Sequence, residues 1–208
     1  QFHSISVATG DSMPPVLETL QAIDPTFREI PHQSDSLKST KFASRAGYKV
    51  EFLTPNTGSD DLSGKPSPMP ALGGAAAEPL RFLDFLIYQP VRAVLLHGAG
   101  VPVLVPAPER FAIHKLIIAA RRRTDNDGLA KSRKDLLQAA TLMQALLDLR
   151  QGAALADSYL EAWERGPAWR DAITESLKEI APEQSAILQR GLASAMDALG
   201  ADPHLHGL

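Results

Sequence analysis

The alternation of apolar and polar residues is clearest, in the first half of the chain, between Tyr48 and Leu53. Its even positions are aromatic or aliphatic, a pattern that predicts a β-strand with one apolar face. The odd positions are Lys49, Glu51 and Leu53. Glu51 is therefore predicted to project away from the most apolar side of the sheet.

Weaker patterns predict further elements around this strand. A helix over 15–22, extended segments around 27–30 and 40–44, a strand or its tail over 2–7 and a turn at Ala46-Gly47 are expected. The segment 54–77 is dense in Pro, Gly, Ser and Asp, so it is predicted to be a long, mobile surface excursion. Residues 79–88 fit either a helix or an irregular segment.

The second half changes period. Two apolar runs, VRAVLL and VPVLVP, flank His97-Gly98-Ala99-Gly100 and predict a β-hairpin with a glycine-rich turn. After Pro106 the period lengthens to nearly four, which predicts helices over 108–123, 130–150, 153–164, 167–180 and 183–199. The apolar stripes of the last three helices are typical of helix-bundle core. The predicted fold is α+β, with an α/β part over 1–107 followed by a helical domain over 108–208.

Composition narrows the classes of function. The net charge is −3, so phosphate binding requires a local basic cluster. The chain has no cysteine, which excludes disulfides and thiol catalysis. No apolar run is long enough to cross a bilayer, so a cytoplasmic location without membrane association is predicted.

The segment 101–135 carries such a cluster. Lys115 and Arg122 fall on one face of the predicted helix, so both side chains could reach the same anion. The alternative is a solvated helix face. Asp135 has two structural interpretations: a capping box with Ser132, or an ion pair with Lys131 at i, i+4.

Other candidates are less specific. Glu51 fits a metal ligand or a base, and equally a solvated residue paired with Lys49. Asp125-Asn126-Asp127 resembles a metal-binding Asp-x-Asp but precedes Gly128, which favours a turn. The six histidines have no zinc-site spacing, and no phosphate-binding glycine loop or nucleophile-elbow motif is present.

Four segments together carry a resemblance to a family. YKVEFLTP, AEPLRFLDFLI, VPVLVPAPERFAIHKL and KSRKDLLQA, in this order, resemble the bacterial nucleotidyltransferase-fold proteins. These are relatives of the AbiEii-type and MenT-type toxins within the DNA polymerase β-like superfamily. The resemblance covers residues 1 to about 145, and the PERFAIHKL and KxxKD segments are its most specific part.

The resemblance implies a mixed sheet with acidic metal ligands, packed on a helical domain, and Mg²⁺-dependent transfer of a nucleoside monophosphate from an NTP to an acceptor. Glu51 matches the family's third carboxylate, a catalytic residue and metal ligand. Asp135 matches the catalytic acidic residue of the KD motif. Lys115 matches the lysine that contacts the nucleotide phosphates, with Arg122 and Lys134 as supporting basic groups.

The family's Gly-Ser and paired Asp-x-Asp motifs have no counterpart between Gln1 and Lys49, where Asp11 lacks both partner and strand. The sheet is therefore expected to be N-terminally incomplete, with these motifs upstream of Gln1 and little activity in this chain. The resemblance implies a nucleotide as ligand, RNA or protein as acceptor, and an antitoxin-like partner. A non-catalytic nucleotide- or nucleic-acid-binding regulatory module is the alternative, and a purely structural helical domain is the third.

Overall fold

The computed structural model describes residues 14–35, 39–56, 64–70, 73, 75–122 and 124–208. The predicted strand at 2–7 and Asp11 lie outside these residues. The chain forms two compact units, Gln1–Asp84 and Phe85–Leu208. The sequence had divided the chain between residues 107 and 108, after the predicted β-hairpin; the compact units divide it before that hairpin.

Short strands and one helix build the described part of the first unit. They are α1 (Val16–Ile23), β1 (Arg28–Pro31), β2 (Ser39–Ala43), β3 (Lys49–Glu51), β4 (Leu53–Pro55), β5 (Ser67–Met69) and β6 (Ala75–Leu80). Strands β1, β2 and β3 form an antiparallel sheet in that order. In the second sheet β6 lies between β4, to which it is parallel, and β5, to which it is antiparallel.

Phe52 joins the two sheets. Its N–H donates to the carbonyl of Thr40 at 2.8 Å, and its own carbonyl accepts from the N–H of Glu78 at 2.8 Å. The predicted strand over 48–53 therefore exists as two strands, β3 and β4, because the backbone changes its hydrogen-bonding partner at Phe52. The turn at Gly47 is as predicted, with the positive φ of 87° that glycine adopts at little cost.

Aromatic rings fill the core of the first unit. The core residues are Phe27, Phe42, Phe52 and Ala77, with Val16, Leu17 and Leu20 of α1 packed against them. The rings of Phe42 and Phe52 meet edge to face, with centroids 5.8 Å apart. The predicted amphipathic helix is thus confirmed, and it covers the apolar face of the sheet.

The prediction of a surface excursion over 54–77 is wrong in part. Its last residues, beginning at Ala75, form the first half of β6, and Ala76 and Ala77 are buried. The sequence pattern used to predict strands relies on large apolar side chains, so it does not detect these alanines. Residues 57–63 of that excursion lie outside the described part of the chain.

The second unit opens with the predicted β-hairpin. Strands β7 (Val91–Leu95) and β8 (Val101–Val105) pair in antiparallel register from Val91↔Val105 to Leu95↔Val101. A short helix, α2 (Leu83–Ile87), precedes the hairpin and spans the division between the units. Most of the hairpin's apolar side chains are exposed.

Five helices complete the second unit, followed by a single 3-10 turn. Their bounds are α3 (Pro108–Ala120), α4 (Asn126–Asp148), α5 (Gly152–Glu164), α6 (Pro167–Glu179) and α7 (Pro182–Ala198), with the turn at Pro203–His206. Helix α3 packs against α4, α5 and α6, and α7 packs against α4 and α5. The predicted stripes form the core, where Leu155, Tyr159 and Leu192 are fully buried. The α+β class is confirmed, and none of the described helices is long and apolar enough to cross a membrane.

The start of α4 differs from the prediction. Asp125 is the N-cap, and its Oδ1 accepts from the N–H of Gly128 at 2.8 Å. The predicted turn at 125–127 is therefore the cap and first turn of the helix. The capping box is wrong, because the Ser132 hydroxyl donates to the carbonyl of Ala119. The Lys131 ion pair is also reassigned, since its partner is Asp127.

Candidate functional site

A cavity of about 610 Å³ opens on the polar side of the first unit's strands. In the strand register Lys41 lies opposite Glu51, and Leu53 lies opposite Glu78. All four residues line the cavity. Since side chains alternate along a strand, their neighbours Phe42, Phe52 and Ala77 enter the core instead.

Glu51 is one of the more exposed residues that line this cavity. Its Oε1 accepts from the Lys41 ammonium at 2.8 Å, and the two side chains are 44% and 50% exposed. The predicted pairing with Lys49 is replaced by a cross-strand pair. An ion pair this exposed stabilises the protein by about 1 kcal/mol or less, so a ligand can exchange for Lys41 at low cost.

A second polar pair lies deeper in the same cavity. His32 Nε2 and Glu78 Oε2 are 2.7 Å apart, and the side chains are only 12% and 19% exposed. The other ring nitrogen, Nδ1, accepts from the N–H of Ser34 at 3.1 Å. This assigns the proton of a neutral imidazole to Nε2, which donates to the Glu78 carboxylate.

The donors in the cavity suit a hard cation in part. Carboxylate oxygens are the ligands that Mg²⁺ prefers, and Mg²⁺ is commonly held by one or two of them together with water and substrate phosphate. Glu51 meets this description. Among the described residues, no three His, Cys, Asp or Glu side chains come together as a preformed metal site.

In the second unit, Asp135 holds two cations. The Lys115 ammonium donates to Oδ1 at 2.6 Å, and the Arg122 guanidinium donates to Oδ2 through Nε at 2.8 Å and Nη2 at 2.7 Å. Asp135 is fully buried, whereas Lys115 and Arg122 keep 17% and 34% of their side chains exposed. The helical spacing does let Lys115 and Arg122 reach one anion, but in the structure that anion is Asp135 of the chain itself and not a bound phosphate.

Two opposing effects act on the Asp135 carboxyl. Burial raises its pKa, but the hydrogen bonds and positive charges of Lys115 and Arg122 outweigh burial, and the pKa lies below its usual value. Asp135 is therefore ionised at neutral pH, inside a helix and away from solvent. Its contacts orient Lys115 and Arg122.

The third basic group that the sequence proposed, Lys134, lies outside this cluster. Lys134 is exposed on α4, next to Asp135 in sequence but without sharing its burial. Arg122 also lines a smaller cavity of about 240 Å³ with Glu175 and Glu179, which gives that opening mixed charge.

Sequence reasoning missed His32 and Glu78. Glu78 could have been noticed, because it is the only charged residue in the apolar segment from Ala75 to Leu80, which proved to be a strand. His32 had none, because its role depends on a partner 46 positions away along the chain. Both residues line the cavity that Glu51 also lines, and the sequence did not predict this cavity.

Comparison with known proteins adds one positive finding. No curated protein and no solved structure matches the chain significantly. The profile of a family described as nucleotidyltransferase matches residues 1–164. This match covers most of the chain, from the first residue to the end of α5. The chain belongs to this nucleotidyltransferase family.

Proposed function

We propose that this chain binds an NTP and takes part in transferring its nucleoside monophosphate to a hydroxyl acceptor. The observation that carries the proposal is the cavity of the first unit, where Glu51 and the His32–Glu78 pair line one space in a member of a nucleotidyltransferase family. Its volume of about 610 Å³ is in the range of small-molecule sites.

Glu51 is proposed to hold Mg²⁺ through its carboxylate, with the ion replacing the ammonium of Lys41 as the partner of Glu51. Water and the phosphates of the NTP would provide the other oxygen ligands. When bound, the ion neutralises phosphate charge and polarises the phosphoryl oxygens. Lys41 lines the same cavity and adds a positive charge close to where phosphate would bind.

In the second unit, considered by itself, Lys115 and Arg122 are proposed to contact a phosphate group, and the exposed Lys134 to add positive charge. An ammonium has three N–H donors and a guanidinium five, so both retain donors beyond those that Asp135 accepts. In this proposal Asp135 acts by positioning the two cations. Its complete burial argues against direct contact with a bulky nucleotide.

The test is a substitution of Glu51. Glu51→Gln keeps the size of the side chain but removes the charge that a cation requires. With α-labelled NTP and Mg²⁺, we expect transfer of label to fall by about 10²-fold, because such a ligand accounts for several kcal/mol of transition-state stabilisation. Glu29→Gln is the matched control, since Glu29 is exposed on β1 and does not line the cavity. Equal loss in both variants would contradict the assignment of Glu51.

A non-catalytic nucleotide-binding module is the second candidate. It is favoured by the lack of a three-ligand metal group among residues 14–35, 39–56, 64–70, 73, 75–122 and 124–208. Calorimetric titration of NTP binding, together with the transfer assay described above, separates the two candidates. Binding of NTP without transfer to RNA, protein or the chain itself would support the regulatory module, and no binding at millimolar NTP would reject both.

A further inference from the structure

Ser34 lies in the same cavity as Glu51, beside the His32–Glu78 pair. Its hydroxyl oxygen is 2.9 Å from His32 Nδ1, and His32 Nε2 is 2.7 Å from Glu78 Oε2. Ser34 is exposed, while His32 and Glu78 are mostly buried. The three side chains thus lie in a row, here called the serine row, that ends at an accessible hydroxyl, whose single proton is donated to the carbonyl of Gly64.

The serine row would suit proton transfer from Ser34 once the hydroxyl turned from the carbonyl of Gly64 toward Nδ1 of His32. Since Nε2–H donates to Glu78, the lone pair of Nδ1 accepts from the N–H of Ser34, and the hydroxyl oxygen of Ser34 lies 2.9 Å from the same nitrogen. A hydroxyl, an imidazole with its acceptor nitrogen toward that hydroxyl, and a carboxylate on the opposite nitrogen are the parts of an activated nucleophile. The arrangement is defined by these contacts and not by the order of the residues in sequence.

A structural role alone explains only part of the geometry. The Ser34 hydroxyl also lies 2.7 Å from the carbonyl of Gly64, to which it donates. This bond ties two loops together, and any hydroxyl would serve it. It does not account for a mostly buried histidine whose second nitrogen is held by Glu78 within the nucleotide cavity.

We infer that Ser34 is a site of self-modification, at which the chain attaches a nucleoside monophosphate to its own hydroxyl. The inference rests on the proposed function, because it requires an NTP in the cavity that Ser34 and Glu51 both line. Ser34 is then the acceptor, His32 the catalytic base and Glu78 a positioning residue that acts through His32.

The step balances with the NTP as the only co-reactant. The Ser34 oxygen forms a bond to the α-phosphorus, and the bond from that phosphorus to the bridging oxygen breaks. Pyrophosphate leaves with the electron pair, and the hydroxyl proton passes to Nδ1 of His32. The Glu78 carboxylate stabilises the resulting imidazolium, which afterwards releases its proton to solvent.

The experiment incubates the full chain with α-labelled NTP and Mg²⁺, followed by intact-mass measurement and peptide mapping. We expect one nucleoside monophosphate per chain, attached at Ser34 through a linkage that survives acid. Ser34→Ala is expected to abolish this label and Ser34→Thr to retain it. Ser67→Ala on β5, a serine that does not line the cavity, is expected to label like the unmodified chain.

His32 and Glu78 are tested by the rate of labelling. His32→Gln removes the base, so the rate should fall by about 10²-fold. Glu78→Gln should lower the rate and Glu78→Asp should restore much of it, whereas a role limited to holding the loops would leave the rate unchanged.

The outcomes separate this inference from the proposed function. Label transferred only to an added acceptor, or attached to another residue, overturns the inference and leaves the proposed function intact. An acid-labile label would place the modification on histidine and would also overturn it. Absence of NTP binding, measured by calorimetry on the same preparation, rejects the inference together with the proposed function.

Discussion

Asp135 shows at the scale of single residues what sequence spacing can and cannot predict. The interval between Lys115 and Arg122 placed both cations on one face of α3, because helical geometry is local. The identity of the anion that both contact depends on how α4 packs against α3, which spacing along the chain does not encode. The same limit explains His32 and Glu78, whose contact joins residues 46 positions apart.

Neutralising Asp135 is expected to destabilise the second unit. Asp135→Asn would remove the buried negative charge that pairs with Lys115 and Arg122. Removing one partner of a buried ion pair lowers the free energy of unfolding by about 3 kcal/mol. Because both cations are partly exposed to solvent, we expect the loss of unfolding free energy to be no larger than this value. The free energy of unfolding from urea denaturation measures it.

The control lies on the same helix. Asp148→Asn makes the same chemical change at an exposed position near the end of α4, where Asp148 accepts only from Gln144 among the contacts described. A negative charge near a helix C-terminus is not stabilising, so stability should change by less than about 0.5 kcal/mol. Equal losses in the two variants would contradict the importance of the buried cluster.

Acid should weaken the same contacts. The pKa values of Asp135 and Glu161 lie below the ordinary values of 3.8 and 4.5, because hydrogen bonds and charges from neighbouring Lys and Arg outweigh burial, which raises them. A lowered pKa contributes stability that is fully present above the unfolded value and lost as pH falls through the folded value. The melting temperature should therefore decrease below about pH 4.5, and less steeply in Asp135→Asn. A pH-independent melting temperature between pH 5 and pH 2 would contradict this.

At the scale of elements, helix starts were predicted to within one residue where proline marks them. Helices α3, α6 and α7 begin at Pro108, Pro167 and Pro182, since proline at the first helical position loses no hydrogen bond. Strand β6 was missed because its first three residues are alanines. Alanine has a low intrinsic preference for strands, so these residues do not predict one. The small side chains are explained only by the aromatic rings that pack around them.

Enlarging Ala77 tests that explanation. Ala77 is fully buried among Phe27, Phe42 and Phe52, where its small side chain leaves room for the rings. Ala77→Leu is expected to destabilise the first unit by about 1 to 3 kcal/mol through overpacking. Ala75→Leu, at a partly buried position of the same strand, should cost less. Thermal unfolding followed by circular dichroism compares the two, and a larger loss at Ala75 would refute the explanation.

At the scale of the whole molecule, the family match covers a shorter part of the chain than the folded helical bundle does. The match ends at residue 164, the last residue of α5, yet the core of the second unit continues into α6 and α7. The Ser176 hydroxyl donates to the carbonyl of Leu116 at 2.6 Å, and Ile173 and Leu188 are fully buried. These helices are therefore structural parts of the same bundle, although the family pattern does not include them.

The β-hairpin of the second unit has a consequence for how chains behave in concentrated solution. Val94, Leu96 and Leu104 are more than half exposed, and a two-stranded ribbon with such side chains is a template for unlimited strand addition between molecules. Arg92 and Pro102 oppose this, one by charge and the other by withholding an N–H from the ladder. The ribbon thus carries its own protection against fibre growth.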